Sequence, residues 1–355
     1  MIPAPTFAAF DPPLTPALVL DLDAVAHNIR AMVARAGGPD RWRPHLKTVK
    51  HAAIVELLLA AGVRGFKVAT LPELTLALDA ARSIGEPIDV LVAYPLRGAA
   101  LDTLGALAAG HRRHRIGVLA DDPAHLAEVR RLRGVRVHLD VDLGMGRTGT
   151  PPEDWAGVDS AGVHGLHGYD GHLGWDDREA AHAGYHRLCD LAYALGGAGL
   201  DLVTSGTHSY AHALAHERLQ AGPWRAQVSP GTVVLSDLRT APAVADLGLR
   251  QAAWVATRAV SVRGDRVTLD AGSKALSPDA HPAGAVVDHP ELDWLTASEE
   301  HQPCRGRGPT AGERVWVVPT HVCTTVNLYR EAWLARDGRV EQRSQIGAAG
   351  RQLSV

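Results

Sequence analysis

The sequence predicts an α/β chain built as a (β/α)8 TIM-like barrel with a C-terminal antiparallel β domain. Between Ala17 and about Ser205, short apolar runs alternate with helix-like segments roughly eight times, the pattern of parallel strands with crossover helices. Eight units favour a closed barrel, while an open doubly wound sheet shares the same alternation. After about Pro242 the texture changes to short strand-like runs, separated by turn pairs such as Gly264-Asp265 and Asp337-Gly338. The expected domains are 17–242 for the barrel and 243–355, with the N-terminal segment 1–16, for the β domain.

Taken in order, Ala17–Asp21 reads as a strand and Asp23–Ala36 as a helix stopped by Gly37-Gly38. Arg43–Lys47 follows as a strand, and His51–Ala61 as a helix closed by Gly62. Gly65–Ala69 is the next strand. Thr70-Leu-Pro-Glu73 opens a helix, with Thr70 as cap, Pro72 early and Glu73 three residues on. Ile88–Ala93, Arg115–Leu119, Val135–Asp140, Val163–Gly168 and Asp201–Ser205 continue the strands. In the β domain, Ala253–Val262, Arg266–Ala271, Ala283–Asp288, Arg314–Pro319 and Trp333–Arg336 read as strands, and the Gly-rich Glu299–Gly312 as a loop.

Composition narrows the function classes. Across 355 residues the formal net charge is −3, so neither nucleic acid nor an anionic membrane surface is expected as a partner. Three scattered cysteines make no disulfide framework. No apolar run approaches the roughly 20 residues of a membrane span, and residues 1–16 lack the features of a signal peptide, so a cytoplasmic protein is expected.

Five constellations can carry chemistry. Lys47 closes an apolar run at the expected barrel mouth, where burial lowers an ammonium's pKa and lets the amine attack an aldehyde. Asp140-Val-Asp-Leu-Gly-Met-Gly-Arg147-Thr-Gly149 sets glycines around an arginine that can contact an anion. His164-Gly-Leu-His-Gly-Tyr169-Asp-Gly-His172 places Tyr169, Asp170 and His172 near the mouth, and its histidines are candidate bases or metal ligands. Thr204-Ser-Gly-Thr207 and Ser229-Pro-Gly-Thr232 offer N–H and hydroxyl donors suited to a phosphate. Finally, in a strand His321 and Cys323 share a face and can grip one ion, with zinc favoured by imidazole and thiolate.

These pieces, with Leu14–Asp23, Arg43-Pro-His-Leu-Lys-Thr48, Leu269–Ala275, Ser298–His301 and Pro319-Thr-His-Val-Cys323, resemble the fold-type III pyridoxal phosphate enzymes of the D-serine dehydratase and D-threonine aldolase family. The resemblance runs from about residue 14 to 327. It implies an alanine racemase-like barrel, usually in a homodimer, with Lys47 carrying pyridoxal phosphate. It further implies phosphate contacts from Ser205, Gly206, Thr207, Gly231 and Thr232, Tyr169 against the pyridine ring, and Arg147 near ring or substrate. His321 and Cys323 would hold a divalent metal, zinc ahead of manganese or magnesium. Alanine racemases set an arginine against the pyridine nitrogen where this chain has Ser229, which argues against a dedicated racemase.

The activity so implied is dehydration of a β-hydroxy D-amino acid (D-serine, D-threonine or 3-hydroxy-D-aspartate) to a 2-keto acid and ammonia, with Lys47 as base. The alternative is aldolase-type cleavage to glycine and an aldehyde, with His172 taking the β-hydroxyl proton. A racemase or a non-catalytic cofactor carrier stands behind both.

Overall fold

The computed structural model describes residues 3–155 and 157–351. The chain divides into two compact units. One holds the N-terminal segment up to Ala31, Thr48–Leu57 and Thr232–Gly350; the other holds Met32–Lys47 and Leu58–Gly231. Towards the C-terminus the division between the two units falls between Gly231 and Thr232. The ends of the expected β domain, residues 1–2 and 352–355, lie outside the described residues.

The first strand, β1 (Ala17–Asp21), corrects the sequence reading: it is not a barrel strand. It pairs antiparallel with one strand of the β unit, Val19 opposite Trp254, and parallel with another, Val19 opposite Trp333. Its apolar run is buried like a barrel strand's, so sequence could not separate the two.

The barrel unit is a parallel sheet of β2 (Gly65–Val68), β3 (Asp89–Val92), β4 (Arg115–Ala120), β5 (Val135–Val141), β6 (Val163–Gly168), β7 (Asp201–Thr204) and β8 (Arg225–Val228), in that order. The segment Trp42–His45 closes it. Trp42 bridges Val228 and His45 bridges Lys67, both in parallel, with Arg43 N–H donating to Val228 O at 2.9 Å and Lys67 N–H to Pro44 O at 2.9 Å. Pro44 brings no N–H to the ladder, which is why this eighth stave is bridged rather than a regular strand. Eight staves thus stand as expected, with β8 in the place given to Ala17–Asp21. Thr70 caps the helix Leu71–Ile84 by accepting from Glu73 N–H, and the Glu73 carboxylate reaches back to Ala69 N–H at 2.7 Å.

The N-terminal ends of the staves hold an ion network. Arg43 is fully buried and pairs with Asp89 at 2.9 Å; Arg136 reaches Asp89 at 3.0 Å and Asp201 at 3.3 Å; Arg225 pairs with Asp201 at 2.8 Å. Burial alone would raise the Asp201 pKa, but His138, Arg225 and Arg43 beside it hold the carboxyl well below the usual carboxylate range. Burial pushes the enclosed His138 imidazole down to about 4. A histidine whose folded pKa lies below its unfolded value of about 6.5 contributes stability above that pH and loses it as the pH falls towards 4. The melting temperature is therefore expected to drop between about pH 6.5 and 4, and His138→Gln to flatten that limb. An unchanged slope in the variant would remove His138 from the account.

The β unit is one sheet. Its remaining strands are β9 (Ala253–Arg263), β10 (Arg266–Leu269), β11 (Gly284–Val286), β12 (Asp293–Trp294), β13 (Gln302–Arg305), β14 (Arg314–Pro319), β15 (Glu331–Arg336) and β16 (Arg339–Gln345). The order is β12-β13-β10-β9-β1-β15-β16, with β14 on β9 and β11 on β14. β13 lies inside the stretch read as a loop, its polar Gln302 and Arg305 hiding a ladder to β10. Phe7, Val19, Trp254, Trp316 and Val318 pack its core. Among the described residues no helix is long and apolar enough to cross a membrane.

Candidate active site

At the C-terminal ends of the barrel staves, Lys47, Lys67, Arg147, His167 and Tyr169 line one cavity of about 310 Å3. This is the end where such barrels carry their chemistry. Lys47 follows the closing segment with one residue between, Leu46, whose N–H donates to Lys67 O at 2.8 Å, so barrel closure itself delivers its amine. Arg147 rides on a loop pinned by Asp142, whose carboxylate accepts from Gly144 and Gly146 N–H, and by Thr148, whose hydroxyl donates to Asp140 at 2.8 Å. Its guanidinium carbon sits 5.0 Å from the Tyr169 ring centroid.

Sequence reasoning did not name Lys67, and it placed Asp140 and His167 within two constellations without choosing either as a site residue. Lys67 Nζ lies 3.3 Å from His167 Nε2, and His167 Nδ1 lies 2.8 Å from Asp140 Oδ1. All three are buried. Burial, then the charge of Lys47, brings the Lys67 ammonium down to about 7, against the opposing pull of Asp170 and Asp140. Strand alternation could have found this group: His167 and Tyr169 stand two residues apart, and Lys67 occupies a barrel strand buried throughout, where a lysine needs a reason.

The expected phosphate residues fall on the loops after β7 and β8, where barrels of this type bind phosphate. Ser205 takes a left-handed φ of 61° and is fully buried, and its hydroxyl has no hydrogen-bond partner among the described residues. The hydroxyl of Ser229 is likewise buried and unpartnered. Gly206 lies against Tyr169, where a methyl would come within 3.1 Å of the ring. Thr207 is buried close by in sequence. Gly231 ends the barrel unit and Thr232 begins the other, with the Thr232 hydroxyl 3.7 Å from Cys323 Sγ. His172 is exposed and faces Gly144, outside the residues lining the cavity.

In the β unit, His321 and Cys323 do not lie on a strand. His321 precedes a single helical turn, Val322–Val326, so alternation is not what brings them together. Asp237 accepts from Val322 N–H at 3.0 Å and Ser277 Oγ from His321 N–H at 2.9 Å, which sets that turn. The two side chains nonetheless interact: Cys323, opposed by burial and joined by Asp279, pushes the His321 pKa up to about 9. His321 Nδ1 lies 2.6 Å from Asp279 Oδ2, and Thr48 Oγ1, the hydroxyl next in sequence to Lys47, lies 3.0 Å from Cys323 Sγ. With Nδ1 engaged by a carboxylate, Nε2 is the nitrogen that would turn to an ion alongside Cys323, the arrangement that metal-bound histidines adopt. Among the described residues no group of three or more His, Cys, Asp or Glu forms a metal cluster, so these two donors would leave positions open.

Comparison with known proteins agrees with this architecture. The alanine racemase N-terminal domain model matches residues 20–234, and a serine dehydratase domain model matches residues 252–335. A D-threonine aldolase of Arthrobacter sp. is 29% identical over 366 residues, covering 95% of this chain and 93% of its own. The crystal structure of D-threonine aldolase from Filomicrobium marinum superposes with a TM-score of 0.79 at 25% identity, covering 95% and 96%. D-threo-3-hydroxyaspartate dehydratase from Delftia sp. HT23 shares the fold at 24% identity, with a TM-score of 0.71 over 97% and 99%. A cation-lined cavity at the strand ends, unpartnered hydroxyls after β7 and β8, and family matches spanning most of the chain lead to one conclusion: the protein belongs to the alanine racemase N-terminal domain family of fold-type III pyridoxal phosphate enzymes.

Proposed function

We propose that the protein is a pyridoxal phosphate- and metal-dependent lyase that dehydrates a β-hydroxy D-amino acid to a 2-keto acid and ammonia. The observation that carries the dehydration reading is the His321–Cys323 pair with Asp279 on the imidazole. Imidazole with thiolate suits zinc, and two protein donors leave room for a substrate oxygen. His321 and Cys323 would hold the ion, whose chemistry is that of a Lewis acid for a leaving hydroxyl. When bound, pyridoxal phosphate supplies an electron sink for charge developing at Cα.

The chain's own residues do the rest. Lys47 Nζ would be the amine that holds the cofactor's aldehyde carbon, and as a free amine it would take the Cα proton. Ser205, Gly206, Thr207, Gly231 and Thr232 would hold the phosphate, with the unpartnered Ser205 hydroxyl supporting that role. The Tyr169 ring, fixed by the close approach of Gly206, would hold the pyridine, and Arg147 would bind an anionic oxygen of ring or substrate.

A second reading, cleavage of the Cα–Cβ bond, is favoured by the two D-threonine aldolases that match 95% of this chain. It needs a base for the β-hydroxyl, and His172, the sequence candidate, is exposed outside the cavity lining.

The deciding assay supplies purified protein, pyridoxal phosphate and zinc with D-serine, D-threonine or D-threo-3-hydroxyaspartate, beside a chelated control. Keto acid and ammonia that vanish with the chelator are expected. Glycine with an aldehyde would transfer the protein to the second reading. No product from any of the three would sink both.

A further inference from the structure

The cavity holds a second buried amine that the reading above leaves without a task. Lys67 is 2% exposed, and among the described residues its Nζ has one hydrogen-bond partner, His167 Nε2 at 3.3 Å, and no ion pair. With His167 Nδ1 committed to Asp140 at 2.8 Å, Nε2 presents a lone pair, so Lys67 is the donor. A lysine ammonium has three N–H groups. Two are therefore left at the cavity wall with no acceptor from the protein, and an ammonium buried that way is costly unless a ligand oxygen meets it.

The groups around Lys67 narrow that ligand oxygen to an anionic one. Lys47, Arg147 and His45 line the same cavity, with the Tyr169 ring centroid 5.1 Å from Lys67 Nζ. The nearby carboxylates are already occupied. Asp140 takes His167 and Thr148, and Asp170 accepts from Tyr185 at 2.5 Å and Ser209 at 2.6 Å. Among the described residues no carboxylate lines the cavity itself. Pyridoxal phosphate has one oxygen, the phenolic one, that moves between hydroxyl and oxyanion and sits beside the aldehyde carbon. It accompanies whichever amine takes that carbon, and Lys67 is the amine that shares the cavity with Lys47.

We propose that Lys67 faces the phenolic oxygen of bound pyridoxal phosphate and exchanges a proton with it, with His167 and Asp140 as its positioning residues. The inference rests on the cofactor reading of the cavity. The transfer is a simple one: the Lys67 N–H bond breaks as the phenolic O–H bond forms, and the amine left behind keeps its bond to His167. Its lowered pKa places that exchange near neutral pH, where Arg147, always charged, cannot take part.

The test titrates the absorbance of the bound cofactor from pH 5.5 to 9.5 and measures pyridoxal phosphate affinity for wild type, Lys67→Met and Lys67→Arg. Methionine replaces a buried cation with an apolar chain of similar length, so the variant is expected to fold, which circular dichroism checks. In Lys67→Met the absorbance midpoint should shift by at least one pH unit and affinity fall about tenfold. Lys67→Arg should restore affinity to within threefold but not the midpoint, because it returns the charge without the exchangeable proton. His167→Ala should move the midpoint in the same direction as Lys67→Met. Variants that bind cofactor with the wild-type midpoint and affinity would overturn the role of Lys67 alone. Wild-type protein that binds no pyridoxal phosphate would overturn the cofactor reading and this inference with it.

Discussion

Lys47→Ala is expected to lose the visible absorbance of bound pyridoxal phosphate and to lower turnover by about a thousandfold or more, the scale on which a covalent attachment and a general base are removed together. The loss should be confined to chemistry. Lys47 is exposed at the cavity, and the backbone before it is fixed by bonds its side chain does not make: Trp42 Nε1 to Pro230 O at 2.9 Å, Arg43 N–H to Val228 O, and Leu46 N–H to Lys67 O. An exposed side chain with no structural partner seldom moves stability by more than about 0.5 kcal/mol, so the melting curve should hold. Absorbance, turnover and melting are to be measured on one preparation. Retained absorbance and activity would show that the attachment lies elsewhere, and borohydride reduction followed by peptide mapping would then show whether Lys67 carries it.

That both lysines enter the question shows how unevenly the site can be read from sequence. Lys47 closes an apolar run, Arg147 and Tyr169 sit among glycines after a strand, and the structure brings all three to one cavity. Lys67 sits in the short strand Gly65-Phe-Lys-Val68 with no glycine-rich loop beside it to mark a site, and His167 lies within the run from His164 to His172, which gave it no role of its own. What gives them meaning is Asp140 on the neighbouring strand, a contact across 27 residues.

The fold shows the same division. Bounds set by local chemistry were legible: the Thr70 cap with Glu73, and β6 and β14 at their expected residues. Choices set by distant partners were not. Ala17–Asp21 joins its sheet only through strands beginning at Ala253 and Glu331, and the turn carrying His321 depends on Asp237, 85 residues before Val322. Two-residue spacing suggested a shared strand face for His321 and Cys323; the contact exists, but tertiary hydrogen bonds produce it.

That contact leads to the second large effect. Cys323→Ala and His321→Ala are each expected to lose bound zinc and to lower dehydration by at least about a hundredfold, the several kcal/mol that a Lewis acid contributes to expelling a poor leaving group. The cofactor spectrum should persist, since Lys47 itself is kept and only the Thr48 and Thr232 hydroxyls lose a contact with Cys323 Sγ. Asp279→Asn gives a graded version. Its carboxylate orients His321 at 2.6 Å and also accepts from Thr324 at 2.7 Å; a weaker acceptor there should reduce zinc affinity about 10- to 100-fold while free zinc restores the rate. Metal content by plasma emission, cofactor absorbance and keto-acid formation separate the possibilities. Zinc retained by Cys323→Ala would take the thiolate out of the site. Zinc lost with turnover unchanged would leave the ion a structural part, and would turn attention from dehydration to the carbon–carbon cleavage of the aldolase relatives.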